Sequence, residues 1–139
     1  MVISIYGGSG SGKTTLATAL QQYFLNDGRG CYLLSGDDYP HRIPKRNDEE
    51  QLRVYKEAGE DGLRGYLGTK KEIDFARINE VLAAFHEGKD TITLRHLERE
   101  DGEISSEETD FSGTSVLLLE WTHGGSDDLH GVDLSVFLE

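Results

Sequence analysis

Near the amino terminus, the stretch Gly7-Gly8-Ser9-Gly10-Ser11-Gly12-Lys13-Thr14-Thr15 has the residue types and the spacing to hold a chain of phosphates. Gly7, Gly12, Lys13 and Thr14 fit G-x-x-x-x-G-K-[ST], in which glycines allow successive backbone N–H groups to turn inward around phosphate oxygens. In that pattern Lys13 reaches the β- and γ-phosphates and the Thr14 hydroxyl completes a magnesium shell. A helix starting there adds roughly half a positive charge at its amino end. The expected nucleotide-binding set is Gly8, Ser9, Gly10, Ser11, Gly12, Lys13, Thr14 and Thr15. Composition alone would read the same stretch as a flexible spacer. The flanks decide against that. Val2 to Tyr6 is a short β-branched and aromatic run, and Leu16, Ala19, Leu20, Tyr23 and Phe24 recur at helical spacing until Asn26-Asp27-Gly28. No register of these glycines gives the dinucleotide fingerprint G-x-G-x-x-G.

A phosphate loop binds nucleotide without choosing a reaction, so the residues at the other strand ends carry that choice. The apolar run Cys31 to Leu34 reads as the second strand of a βαβ unit and delivers Ser35-Gly36-Asp37-Asp38 to the ligand crevice outside its carboxyl end. Asp37 there could accept the proton of an attacking alcohol, and Asp38 is its alternative; the competing reading is a cap or turn. Val116 to Leu119 is a continuous apolar run, the mark of a strand covered on both faces, and Glu120 at its end is where a carboxylate would sit near magnesium. The basic cluster His41-Arg42-Ile43-Pro44-Lys45-Arg46 stands out in an acidic chain. It would hold an anionic acceptor through His41, Arg42 and Arg46, or else pair as a solvated loop with the acid-rich stretch that follows. Arg95 and His96 would line the acceptor pocket or alternate on a solvent face. His123 and His130 flank Gly124-Gly125 and Asp127-Asp128, a spacing that matches no metal motif.

The bulk numbers set limits on partners. With 26 acidic against 14 basic side chains the formal charge is -12, which argues against a non-specific binder of nucleic acid or of anionic membranes. The 139 residues suit one domain. The single cysteine, Cys31, excludes an intramolecular disulfide and sits in an apolar strand, where a thiol serves as a small hydrophobe. No apolar run approaches the roughly 20 residues of a membrane helix, so a cytoplasmic protein is expected.

The elements that must position these groups follow from pattern. Asn47 to Gly62 shows a weak helical pattern from Leu52 and Tyr55, and the glycines punctuating Gly59 to Lys71 predict a mobile loop. Asp74 is placed to cap a helix carrying Ile78, Val81, Leu82 and Phe85 on one face, with His86 in a structural role and Gly88 as the stop. Thr91 to Glu98 reads as a strand turning at Asp101-Gly102 and returning through Glu103 to Ser106. Val132 to Leu138 alternates as a last strand. Helices on both faces of a mostly parallel sheet make a three-layer α/β fold with an added β-hairpin.

In this order the residues resemble the P-loop kinases grouped with uridine kinase and phosphoribulokinase. The phosphate loop, Ser35-Gly36-Asp37-Asp38-Tyr39, Glu87-Gly88-Lys89, Leu117-Leu118-Leu119-Glu120 and Val132-Asp133-Leu134-Ser135-Val136-Phe137-Leu138 all carry that likeness. The resemblance implies a nucleoside-kinase-like P-loop NTPase fold across residues 1–139 and transfer of the γ-phosphate of ATP, with Mg²⁺, to a hydroxyl of a small metabolite. Asp37 is implied as base, Glu120 near the metal and His96 close to the acceptor; Lys13 joins Asp37 in the expected catalytic set, Thr14 joins Glu120 at the metal, and Asp38 and Tyr39 are expected on the acceptor side. Trp121-Thr122-His123 departs from the family, which usually has glycine after the glutamate. Adenylylsulfate kinase is a second analogue, since its aspartate also follows glycine and precedes basic residues. The acceptor is then a nucleoside such as uridine or an anionic alcohol, the alternative being a nucleotide-binding regulatory module or an inactive kinase fragment. No N-K-x-D motif supports a GTPase. The family's arginine-bearing lid and further strand have no counterpart here, so the chain is expected to be C-terminally short. A homodimer through the edge near Val132 to Leu138 is expected on the same ground.

Overall fold

The computed structural model describes residues 1–97 and 103–139. The main sheet has four parallel strands, β1 (Val2–Gly7), β2 (Gly30–Ser35), β5 (Thr114–Glu120) and β6 (Leu134–Leu138), in the order β2-β5-β1-β6. Helix α1 (Lys13–Asn26) covers one face and α3 (Phe75–His86) the other. The alternation of β5 explains both contacts. Val116 and Leu118 join Ile3, Ile5, Ala17 and Phe24 in one core, while Leu117 and Leu119 join Val2, Leu34, Ile78 and Leu82 in the second. A run apolar at every position is what a strand buried on both sides requires. This is the expected three-layer α/β architecture.

Strands β3 (Thr91–Leu97) and β4 (Ile104–Asp110) form a separate antiparallel pair in register from Thr91 with Asp110 to Leu97 with Ile104. The expected turn at Asp101-Gly102 lies outside the described residues. The return strand continues four residues past Ser106, because backbone pairing with Thr91 to Leu94 holds side chains that are polar and mostly exposed. Ile92 and Leu94 dock this hairpin on the α3 core.

Asp74 caps α3, its carboxylate accepting from the Arg77 backbone N–H at 3.1 Å, and Gly88 follows at φ 75°. His86 bonds the Gly131 carbonyl at 2.7 Å.

Two expectations for the middle of the chain change. Helix α2 (Pro44–Arg64) begins three residues earlier than its apolar pattern, with proline in the first turn, where the missing N–H has no helical partner to lose. It is broken at Gly59 (φ 67°, ψ −158°), a backbone conformation open to glycine, and resumes to Arg64. The stretch from Gly59 to Lys71 is therefore not one loop. Beyond Arg64 come hydrogen-bonded turns anchored by the buried Tyr66, with Leu67 N–H donating to the Leu63 carbonyl at 2.9 Å and Thr69 Oγ1 to the Tyr66 carbonyl at 2.7 Å.

The last strand starts at Leu134, two residues later than its pattern, because the Val2 N–H donates at 2.7 Å to the Asp133 side chain. Strand β6 is an edge of the sheet, with Leu134 and Phe137 exposed. Among the described residues no helix is long and apolar enough to cross a membrane.

Candidate active site

The segment between β1 and α1 is shaped by its glycines. Gly10 (φ 79°) and Gly12 (φ 93°) adopt left-handed backbone that a side chain would strain. Gly12 is also the N-cap of α1 and accepts from Leu16 N–H at 3.0 Å, and the first turn of the helix carries no acidic side chain to occupy its free N–H groups. Lys13 is buried and donates from Nζ to the Gly8 carbonyl at 2.8 Å, one of the three donors of its ammonium. Ser11 Oγ is buried without a partner among the described residues. Left-handed glycines, an orphaned hydroxyl and an inward ammonium are the donor set that a polyphosphate would satisfy. The cavity here, about 290 Å³, is lined by Gly10, Gly12, Lys13, Thr14 and Thr15.

Strand pairing brings the second group to the same edge. Glu120 lies in register with Ile5 of β1 on one side and Ser35 of β2 on the other, so the carboxyl ends of three neighbouring strands meet there. Its Oε1 accepts from Thr14 Oγ1 at 3.0 Å. A hydroxyl and a carboxylate side by side are hard oxygen donors of the kind Mg²⁺ takes.

Asp37 comes two residues after Ser35, in the single 3₁₀ turn Gly36–Asp38. Ser35 Oγ accepts from Asp37 N–H at 3.3 Å and fixes that turn. The Asp37 carboxyl is exposed and lines a cleft of about 380 Å³ together with Arg42, Asn47, Asp48 and Glu72. Trp121 and His123 complete it, their rings meeting edge-on with centroids 5.5 Å apart. Trp121 is packed against Gly36 so closely that a Cβ on Gly36 would overlap the indole. Gly36→Ala is therefore expected to destabilise the fold by about 1–3 kcal/mol, the usual range for overpacking, as read by chemical denaturation.

The other expected acceptor residues separate. Asp38 is half-buried beside Asp37. Tyr39 is fully buried in the α3 core, its hydroxyl accepting from Arg95 N–H at 3.4 Å, and burial pushes its phenol up from the ordinary value. It is not among the residues lining the Asp37 cleft, and its ring is part of the packing that holds the hairpin. Of the basic side chains in the cluster, Arg42 is the one that lines the cleft, donating to Tyr66 Oη at 3.3 Å and to the Lys71 carbonyl at 3.2 Å. His41 turns away onto the Lys70 carbonyl at 2.8 Å, and Arg46 is exposed on the first turn of α2. The cluster does not converge because the helix begins within it.

Arg95 is buried rather than solvent-facing; its guanidinium donates to the Pro40 carbonyl and lies 3.5 Å from Asp74. Burial holds its pKa below the ordinary value. Arg95 therefore ties the hairpin to the Asp37 segment. His96 pairs with Glu107 across the hairpin at 3.0 Å. Neither residue is among those lining the Asp37 cleft.

A family model described as the phosphoribulokinase/uridine kinase family matches residues 2–139. The chain belongs to this family. Among solved structures, one described as a possible uridine kinase from Bacillus stearothermophilus superposes with a TM-score of 0.73 at 22% identity, covering 100% of this chain and 70% of that one. Phosphoribulokinase from Rhodobacter spheroides gives 0.74 at 18% identity over 98% of this chain and 50% of that one, and at such identities the likeness is one of fold. All 139 residues are 91% identical to part of the bifunctional alpha-galactosidase/sucrose kinase AgaSK of Mediterraneibacter gnavus. A 42-residue stretch, 30% of this chain, is 52% identical to adenylyl-sulfate kinase 1 of Arabidopsis thaliana. The matched stretch is 15% of the length of either curated relative.

Asn47, Asp48, Glu72 and His123 were not among the residues that sequence patterns single out for the acceptor side. Asn47 and Glu72 stand 25 positions apart, and no short motif joins them.

Proposed function

We propose that this chain is an ATP-dependent kinase acting on a hydroxyl of an uncharged sugar, with sucrose the first acceptor to test. One observation carries the reading. A phosphate cradle and the Thr14–Glu120 pair share a sheet edge with a cleft lined by Asp37, two further carboxylates, an amide and one guanidinium. Asp37, Asp48 and Glu72 together outweigh Arg42, which favours a neutral polyol over an anionic alcohol. The 91% identity to part of a protein named for sucrose kinase activity supports the same class.

In this reading the acceptor oxygen bonds to the γ-phosphorus, the bond to the β–γ bridging oxygen breaks, ADP leaves, and Asp37 takes the hydroxyl proton. Lys13 and the loop N–H groups hold the phosphates, and Ser35 orients the Asp37 turn. Thr14 and Glu120 would hold Mg²⁺, which supplies charge neutralisation on the β- and γ-oxygens when bound.

The test has two arms. Lys13→Ala should weaken Mg·ATP binding in calorimetry by about 10–100-fold, since a charge-assisted hydrogen bond contributes ~1.5–3 kcal/mol. Equal affinity in both proteins would remove the loop from nucleotide binding. Acceptor-dependent ADP release with sucrose, absent with sugar phosphates, is the expected result of the second arm.

A further inference from the structure

Lining the same cleft as Asp37 is part of a chain of polar side chains whose donors and acceptors are fixed in one sense. Glu72, only 8% exposed, accepts from the Gly68 backbone N–H at 2.9 Å through Oε1. Through Oε2 it accepts from Asn47 Nδ2 at 3.2 Å and Gln51 Nε2 at 2.9 Å. A carboxylate can only accept, so the Asn47 amide nitrogen must face it and the amide oxygen must face the other way. There Asn47 Oδ1 accepts from Tyr66 Oη at 2.6 Å, and Tyr66 Oη accepts in turn from Arg42. Asn47 is thus held at both ends on the first turns of α2, beside the cleft, by residues 19 and 25 positions away. These bonds leave the amide one N–H and further acceptor capacity on its oxygen.

Resting on the sugar-kinase reading above, we infer that Asn47 is the acceptor-specificity residue and Glu72 the positioning residue that sets its orientation. An adjacent N–H and C=O match a sugar hydroxyl, which donates and accepts at once. A phosphate or carboxylate on the acceptor would meet the same C=O together with Asp48 and Glu72, and like charges across a binding surface reject the wrong partner. Selection therefore acts twice at this wall, for hydroxyls and against anions. Arg42 does not reverse the preference, because its one positive charge is set against the carboxylates of Asp37, Asp48 and Glu72, and its Nη1 donates to Tyr66 and the Lys71 carbonyl.

Glu72→Gln places an amide N–H either against the Asn47 and Gln51 amides, which releases or reverses Asn47, or against the Gly68 N–H, which loosens the turn that holds residue 72 against Asn47. Asn47→Ala removes the reading group from a half-buried helix position and keeps the question open to experiment if the Glu72 variant fails to fold. Steady-state phosphorylation of sucrose by the full chain should show KM raised about tenfold in each variant, the scale of one hydrogen-bonding partner lost. kcat and the Mg·ATP affinity should stay within about twofold of wild type. A residue that merely holds the fold together would instead lower the denaturation midpoint and weaken nucleotide binding in step with activity. Unchanged KM for sucrose in Asn47→Ala, in a wild type that does phosphorylate it, overturns the specificity role and leaves the sugar-kinase reading standing. A wild type that prefers a sugar phosphate overturns the charge argument while preserving a kinase. A wild type that transfers phosphate to neither removes the sugar-kinase reading and this inference with it.

Discussion

Asp37→Asn should lower acceptor phosphorylation by about 10²–10⁴ while leaving Mg·ATP affinity within about twofold, the range expected for loss of a general base that does not touch the nucleotide. The substitution is close to isosteric. The Asp37 N–H keeps its bond to Ser35 Oγ, so the turn is expected to survive and the effect to report on the carboxylate alone. Single-turnover phosphate transfer with saturating acceptor is the measurement, because it separates the chemical step from product release. A rate equal to wild type would take Asp37 out of the mechanism and turn attention to Asp38, the next residue in the same turn.

The second large effect is on stability. Leu118 is fully buried in the strand between β1 and β2, opposite Ile3 on one side and Leu33 on the other, and faces Ala17 and Phe24 of α1. Leu118→Ala should cost about 2–5 kcal/mol, as the lost transfer energy and the cavity add. Equilibrium denaturation would read this as a lower midpoint at unchanged slope. A loss below about 1 kcal/mol would mean that α1 collapses onto the sheet to fill the space.

The parts legible in the sequence are those whose causes are local. The β1–loop–α1 unit is specified by neighbouring residues, since the glycines, the lysine and the flanking apolar patterns lie within one stretch of chain. The same holds for β5, where four successive apolar residues can be satisfied only by cover on two faces. Helix α2 is legible only as a weak pattern over Asn47 to Gly62, for a physical reason. It buries no side chain fully, and much of what holds it comes from Tyr66 and Glu72, later in the chain. Strand β4 is only partly legible because it is exposed along nearly its whole length, which removes the apolar alternation that marks a half-buried strand. On the acceptor side, charge in sequence misled. His41 to Arg46 look like one basic patch, yet a helix start inside the run sends its members in different directions.

Trp121 is the chain's single tryptophan, and it is buried at the wall of the Asp37 cleft with His123 at its edge. The molecule therefore carries a built-in optical reporter. Its ultraviolet emission arises from one indole whose surroundings are known, so unfolding and filling of the cleft can be followed on the unlabelled protein without dissecting overlapping signals. The ring that follows Glu120 thus makes the Asp37 cleft the part easiest to watch in solution.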